Sequence, residues 1–184
     1  MGTRADDSRE LMSGKEVFAA VERMAGEILS ANRAPTLAVV GVYTGGVRFA
    51  RLLVEHLTRR GAPPAATGAV DITLYRDDLE QIGPAPIVHA TDINFDVSGM
   101  TVLLVDDVVY TGRTIRAAID NLMDLGRPHQ VQFAALVDRG GRELPIQPDY
   151  VGKRVAVGED EIVEVVFTSD GACVVAYRRP AGRR

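Results

Sequence analysis

The chain has 184 residues, of which 46% are hydrophobic and 25% are charged, and its formal net charge is −4. This length is sufficient for one α/β domain and too short for two, and the negative charge excludes a general attraction to nucleic acid or to an anionic membrane. Cys173 is the single cysteine, which excludes an internal disulfide and a zinc site built from cysteines alone. No stretch is long enough to cross a membrane, and the polar start is unlike a signal peptide, so we expect a cytoplasmic protein.

The first part of the chain predicts a flexible, charged arm at residues 1–12, followed by a helix and a strand. Ser13 and Glu16 have the spacing of a capping box, and apolar residues at helical spacing continue to about residue 31. Residues 37–42 form an uninterrupted apolar run, which is typical of a strand buried on both faces.

A second helix follows the turn at residues 43–46, and we place His56 on the outer side of this helix. Residues 68–97 then predict a hairpin region, with a strand at 69–75, a polar excursion rich in Gly and Pro, and an extended return. We expect this region to be attached to the domain as a hairpin or hood.

The remaining elements alternate between strand and helix. We predict a strand at 101–106, a helix at 112–125, a strand at 131–137, and short extended segments at 150–157, 162–167 and 172–178. Together these patterns predict one α/β domain over residues 1–184, with a central, mostly parallel sheet flanked by helices.

The segment 102–114 contains the most specific chemical signal. An apolar strand leads to Asp106 and Asp107, and a loop with two hydroxyl side chains, Thr111 and Thr114, opens the next helix. Carboxylates bind sugar hydroxyls or a metal, whereas a glycine-containing loop at a helix N-terminus binds phosphate. Side by side, the two features indicate a ligand that is both ribose and phosphate.

Three other loops follow predicted strands, at residues 43–46, 76–87 and 138–143. The carboxyl ends of parallel strands meet at one edge of a sheet, where ligands of such folds bind. We therefore expect separate loops to hold separate parts of one ligand.

The chain resembles the type I phosphoribosyltransferases and, within them, the PyrR family. The resemblance rests on residues 71–79 (DITLYRDDL), 105–114 (VDDVVYTGRT), 125–128 (LGRP) and 137–146 (VDRGGRELPI). It implies the type I fold, and a uracil phosphoribosyltransferase that makes UMP and pyrophosphate from uracil and phosphoribosyl pyrophosphate (PRPP). It also implies Mg²⁺ as cofactor, a homodimer or larger homo-oligomer, and, in many members, regulation of pyrimidine genes through mRNA.

The resemblance also implies roles for individual residues. Asp106 and Asp107 contact the ribose hydroxyls, with magnesium carried by PRPP near Asp106, and Arg76 in the hood reaches the pyrophosphate on closure. The turn at 43–46 holds the pyrophosphate, the loop after the aspartates holds the 5′-phosphate, and backbone groups after the next strand read the uracil edge. The substrate-binding residues implied in this way are Thr44, Gly45, Gly46, Val109, Tyr110, Thr111, Gly112, Arg113, Thr114, Val137, Asp138, Arg139 and Gly140.

The chain departs from the family pattern at several positions. Gly45 stands where family members commonly carry arginine, which removes one cation from the pyrophosphate turn. Gly141 and Gln147 replace a histidine and an arginine, and Glu22 and Gly26 stand where regulatory members carry basic or histidine residues. RNA affinity rests on phosphate contacts made by Lys and Arg, so these changes weaken an RNA site. The basic residues that remain available for an RNA site are Arg23, Arg142 and Lys153.

Two alternatives stay open at this point. One is a nucleotide-sensing, RNA-binding transcription attenuator with little catalysis, which the loss of a cation at Gly45 favours slightly. The other is a purine phosphoribosyltransferase. The sequence of residues 137–143 disfavours this alternative, because it contains no aromatic side chain to stack on a purine.

Overall fold

The computed structural model describes residues 8–32, 36–61, 66–72, 91–168 and 171–178. Eight strands and three helices lie in this part of the chain. The strands are β1 (Ser8–Met12), β2 (Leu37–Val42), β3 (Ala66–Val70), β4 (Thr101–Val109), β5 (Gln130–Asp138), β6 (Tyr150–Arg154), β7 (Glu161–Thr168) and β8 (Gly171–Arg178), and the helices are α1 (Gly14–Ala31), α2 (Gly45–Arg59) and α3 (Arg113–Leu125).

A five-stranded parallel sheet forms the centre of the protein. Its strand order is β3-β2-β4-β5-β6, and every neighbouring pair is parallel. Alternate residues of β4 point to opposite faces, so Leu103 and Val105 pack with α1 and α2, whereas Val102 and Leu104 pack with α3. The continuous apolar runs reflect burial on both faces, and the predicted α/β fold is confirmed.

The chain order of this sheet reverses between β2 and β4. From β2 the chain moves outward to β3, and it then returns to the other side of β2 for β4, β5 and β6. The loops after β2 and β4 therefore leave the sheet in opposite directions and open a crevice between them, which is where open α/β sheets bind ligands.

A second, antiparallel sheet was not foreseen from the sequence. It has the order β1-β8-β7, and β1 pairs with β8 from Ser8 opposite Tyr177 onward. The prediction of a loose arm at residues 1–12 is therefore wrong for residues 8–12, while residues 1–7 lie outside the described part. Inward side chains such as Val174 are fully buried in the same core as α1.

Two element boundaries differ from the prediction in ways that matter for the site. Strand β4 continues to Val109, three residues past the predicted end, so Asp107 as well as Asp106 lies within the strand. Strand β3 begins at Ala66, three residues before the predicted start.

The base of the predicted hood is described, whereas its tip is not. Ala69 and Asp92 form an antiparallel bridge with N–H to O=C distances of 2.9 and 2.8 Å, so the two arms of the 68–97 region run side by side at this point. Arg76 and the rest of residues 73–90 lie outside the described residues.

His56 is buried, and the prediction that it lies on the outer side of α2 is wrong. Helix α1 covers this side of α2, so His56 is 0% exposed, its Nδ1 is hydrogen-bonded to Glu22, and its ring packs edge-on against Phe18. Glu22 also accepts a hydrogen bond from Arg60 at 2.7 Å, and this hydrogen bond and the one to His56 lower the Glu22 pKa. Among the described helices, none is long and apolar enough to cross a membrane.

Candidate active site at the crevice between β2 and β4

The turn after β2 lies directly against the end of β4. The Tyr43–Thr44 peptide bond is cis, and the Tyr43 N–H donates to the Val70 carbonyl at 3.0 Å. A Cβ on Gly46 would collide with the Val105 carbonyl, and a Cβ on Gly45 would collide with the Asp107 carboxylate. Glycine at these two positions therefore allows the turn to approach the aspartates closely.

The two aspartates differ in their surroundings. Asp106 is 6% exposed, and its Oδ1 accepts the Asp107 backbone N–H at 3.0 Å. Burial raises the pKa of Asp107, the negative charge of Glu164 on β7 raises it further, and hydrogen bonds with Asp106 and the local backbone act in the opposite direction. A sequence pattern gives no sign of Glu164, because its strand belongs to the other sheet.

The predicted phosphate loop has the backbone that its sequence requires. Gly112 has a φ of 92°, which favours glycine, and α3 begins at the next residue. The Thr111 Oγ1 accepts the Arg113 N–H at 3.3 Å, and the Gly112 carbonyl accepts the Arg116 N–H at 3.0 Å. The first N–H groups of α3 point at this loop, so it can bind an anion.

The loop after β5 wraps around the phosphate loop. The Arg139 N–H donates to the Val109 carbonyl at 3.2 Å, and the Glu143 and Leu144 N–H groups donate to the Thr111 carbonyl at 3.0 and 3.1 Å. Arg113, the first residue of α3, pairs with Glu143 at 2.7 Å. The predicted base loop and phosphate loop therefore form one connected unit.

Arg142 lies inside this unit and not on the surface. Its side chain is 11% exposed and forms an ion pair of 2.9 Å with Asp138, whose side chain is 8% exposed. It also donates to the carbonyls of Tyr110 at 2.6 Å and Ile146 at 2.9 Å. Arg142, which we predicted to contact RNA, is thus largely engaged by internal partners, and its role in RNA binding stays a prediction.

Tyr110 packs against the base loop. The Arg139 guanidinium lies 4.1 Å from the centre of its ring, and a Cβ on Gly141 would collide with the same ring. Arg139 is itself held by the carbonyls of Glu161 at 2.9 Å and Gly158 at 3.3 Å. Glycine at position 141 thus leaves room for the Tyr110 ring. An aromatic side chain, supplied by a different loop, therefore does lie beside residues 137–143.

The other two residues predicted for RNA also have internal partners. Arg23 donates to the carbonyls of Val151 and Gly152 at 2.8 Å each, and its side chain is 48% exposed. Lys153 donates to the Leu11 carbonyl at 2.9 Å and to Glu16 at 3.2 Å, with 40% exposure. Both side chains hold α1 to its neighbouring strands and still reach solvent.

The structure thus brings together most of the residues predicted for the site. The turn at 43–46, the two aspartates, the phosphate loop at 109–114 and the base loop at 137–140 meet at the same edge of the parallel sheet. Arg76 lies outside the described residues, so its assignment stays a prediction.

Comparisons with known proteins agree with this geometry. A family model described as the phosphoribosyl transferase domain matches residues 7–170. A protein of Deinococcus radiodurans named bifunctional protein PyrR is 46% identical over 172 residues, which cover 92% of this chain and 94% of that protein. A protein of the same name from Thermus aquaticus is 48% identical over 157 residues, which cover 85% and 87% of the two chains.

Solved structures show the same fold at low identity. The crystal structure of the hypoxanthine phosphoribosyltransferase of Trypanosoma cruzi has a TM-score of 0.71 and 19% identity, and the match covers 92% of this chain and 96% of that one. At this identity the likeness establishes the fold and not the substrate. The family model and the close relatives together show that this chain is a phosphoribosyltransferase of the PyrR family.

Proposed function

We propose that this protein transfers the phosphoribosyl group of PRPP to uracil and releases UMP and pyrophosphate. The observation that carries the proposal is the meeting of three loops at one edge of the sheet: the turn at 43–46, the loop at 106–114 and the loop at 137–140. These loops match, in order, a diphosphate, a ribose 5-phosphate and a base, which are the parts of the two substrates.

The chemistry explains why carboxylates and anion-binding loops must be neighbours. When the bond between C1 of ribose and pyrophosphate breaks, positive charge develops on the ribose and negative charge on the leaving group. The carboxylates of Asp106 and Asp107 favour the positive charge on the ribose. The N-terminal N–H groups of α2 and α3 favour the negative charges of the leaving pyrophosphate and of the 5′-phosphate. Because these groups are held by strand pairing and by the hydrogen bond between the aspartates, they are oriented before substrate arrives.

The site is suited to bind Mg²⁺ together with PRPP. The described residues contain no cluster of three or more His, Cys, Asp and Glu that could hold a metal by themselves. Mg²⁺ at phosphate-transfer sites is commonly held by one or two carboxylates together with substrate oxygens, and Asp106 and Asp107 supply such a pair. Bound there with PRPP, it would offset the charge of the leaving group.

The base loop favours recognition of the base through backbone groups. The Asp138 carboxylate already accepts the Gly140 N–H at 2.9 Å and pairs with Arg142, so it is engaged within the protein. Because the Arg139 and Gly140 N–H groups are also engaged, with the Val109 carbonyl and with Asp138, we assign the reading of the pyrimidine edge to backbone carbonyls of residues 137–140. The Tyr110 ring beside this loop means that the lack of aromatic residues in 137–143 is a weaker argument against purines than the sequence suggested.

The first test is pyrophosphate release from PRPP and Mg²⁺ with uracil, hypoxanthine or guanine as the acceptor. Turnover with uracil and not with the two purines is the expected result. Turnover with a purine alone would refute the choice of base, while tight UMP binding without turnover would favour the nucleotide-sensing regulator.

Regulation through mRNA is a second function that the name of the relatives, bifunctional protein PyrR, favours. In this chain Arg142 is buried, and Arg23 and Lys153 are the predicted contacts that still reach solvent. A mobility-shift assay with the leader RNA of a pyrimidine gene, with and without UMP, tests this function. Binding that is lost in an Arg23→Gln, Lys153→Gln double variant would support it. The homodimer or larger assembly stays a prediction, which analytical ultracentrifugation tests.

A further inference from the structure

The pyrophosphate turn of this chain carries no cation of its own. Residues 43–46 are Tyr, Thr, Gly and Gly, and a longer side chain at position 45 would require the Asp107 carboxylate to move, because this carboxylate occupies the space beside the Gly45 Cα. A diphosphate next to Asp107 meets a negative carboxylate, and the turn itself adds only backbone N–H groups to the positive charge that Mg²⁺ carried with PRPP would supply.

Arg48 is placed to supply the missing charge. It lies in the first turn of α2, three residues after Gly45, and it is exposed. Within the described residues it forms no ion pair and no side-chain hydrogen bond. Side chains of an α-helix lean toward its N-terminus and cover the turn that precedes them, so a long side chain at position 48 covers the region of Gly45.

The next arginine on the same helix provides the contrast. Arg51 is also exposed and also lacks an ion pair and a side-chain hydrogen bond within the described residues, but it stands one turn farther from the start of α2. One helical turn is about 5.4 Å, and Arg51 lines a cavity with Tyr43, Thr67 and Asp92 on the β3 side of α2.

We propose that Arg48 binds the pyrophosphate group of PRPP and of the released product. This inference rests on the proposed function only for the assignment of the turn at 43–46 to pyrophosphate. Arg48 would reach the site from the exposed side of α2, while the Asp107 carboxylate occupies the space beside the Cα of Gly45.

The experiment measures ligand affinity and turnover for wild type, Arg48→Gln, Arg48→Lys and the matched control Arg51→Gln. The ligands are magnesium pyrophosphate, PRPP and UMP, studied by calorimetry. Arg48→Gln should weaken pyrophosphate and PRPP by about 10-fold to 100-fold, since it removes a charge-assisted hydrogen bond. UMP has no pyrophosphate group, so its affinity should change by less than about twofold. Arg48→Lys should restore part of the loss, and Arg51→Gln should behave like wild type.

Each other result is decisive. Unchanged pyrophosphate affinity in Arg48→Gln overturns the inference, and so does an equal loss of UMP affinity, which would mean a general disturbance of the site. If wild type binds pyrophosphate and PRPP without using uracil, the choice of base fails and the pyrophosphate measurement still decides the role of Arg48. If wild type binds neither PRPP nor pyrophosphate, both the proposed reaction and this inference are wrong.

Discussion

Replacing Arg142 by glutamine tests whether this arginine stabilises the fold through its ion pair with Asp138 or behaves as a surface residue. In the structure its guanidinium pairs with Asp138, and the two side chains are mostly buried, with 11% and 8% exposure. The substitution keeps a polar side chain but leaves the Asp138 carboxylate without its buried cation. The carboxylate would retain the Gly140 N–H and a distant contact of 3.8 Å with the exposed Arg154.

The expected loss follows from these contacts. Removing one partner of a buried ion pair destabilises a protein by about 3–5 kcal/mol. Since the Gly140 N–H and Arg154 still offset part of the Asp138 charge, we expect the lower end, about 3 kcal/mol. In a domain of this size each kcal/mol lowers Tm by about 2–4 °C, which corresponds to a decrease of about 6–12 °C.

Urea unfolding and thermal melts of a double-mutant cycle measure this effect. Adding Asp138→Asn to Arg142→Gln should recover stability and give a coupling energy of about 2 kcal/mol. Arg116→Gln is the matched control, because its pair with Asp120 is exposed on α3 and is worth about 0.5 kcal/mol or less. If Arg142→Gln lowers the free energy of unfolding by less than about 0.5 kcal/mol, Arg142 does not stabilise the fold through its ion pair and behaves as a surface residue.

Three further predictions concern the aspartates, the glycine pair and the first helix. Asp107→Asn should abolish most uracil-dependent turnover and raise stability near neutral pH, because burial raises the pKa of this carboxyl and its charged form therefore destabilises the folded state. The gain should shrink as the pH falls toward 3.8, where both folded and unfolded states bind the proton, as thermal melts against pH would show. Gly141→Ala should be less stable in urea than Gly140→Ala, since both have positive φ, at 69° and 72°, but only the first collides with Tyr110. Both substitutions carry a backbone penalty of about 1–2 kcal/mol, and equal losses would contradict the packing role of Gly141. Hydrogen bonding to Ser13 lowers the pKa of Glu16 to about 2, so Glu16→Gln should lower Tm above pH 4.5, with the difference closing as the pH approaches 2.

Local patterns in the sequence were sufficient for most of the secondary structure and for the core of the site. The capping box at Ser13 and Glu16 starts α1, and the apolar runs at 37–42 and 102–105 form the two central strands of the parallel sheet. These features are readable because caps and hydrophobic periodicity depend on neighbours a few residues away. Gly112 likewise has the positive φ that its loop needs.

The roles of several polar side chains were decided only by the tertiary structure. From the sequence, Arg142 is predicted to be a surface cation in a loop, and His56 is predicted to lie on the outer side of a helix. In the structure, other elements cover both side chains. The same holds for β1, whose partner β8 lies more than 150 residues later in the chain. Burial and pairing depend on contacts between distant segments, whereas a sequence pattern reports only the periodicity of one segment. The sequence by itself therefore determined the kind of chemistry and the loops that carry it, whereas packing between distant segments determined which side chains are buried and which remain exposed.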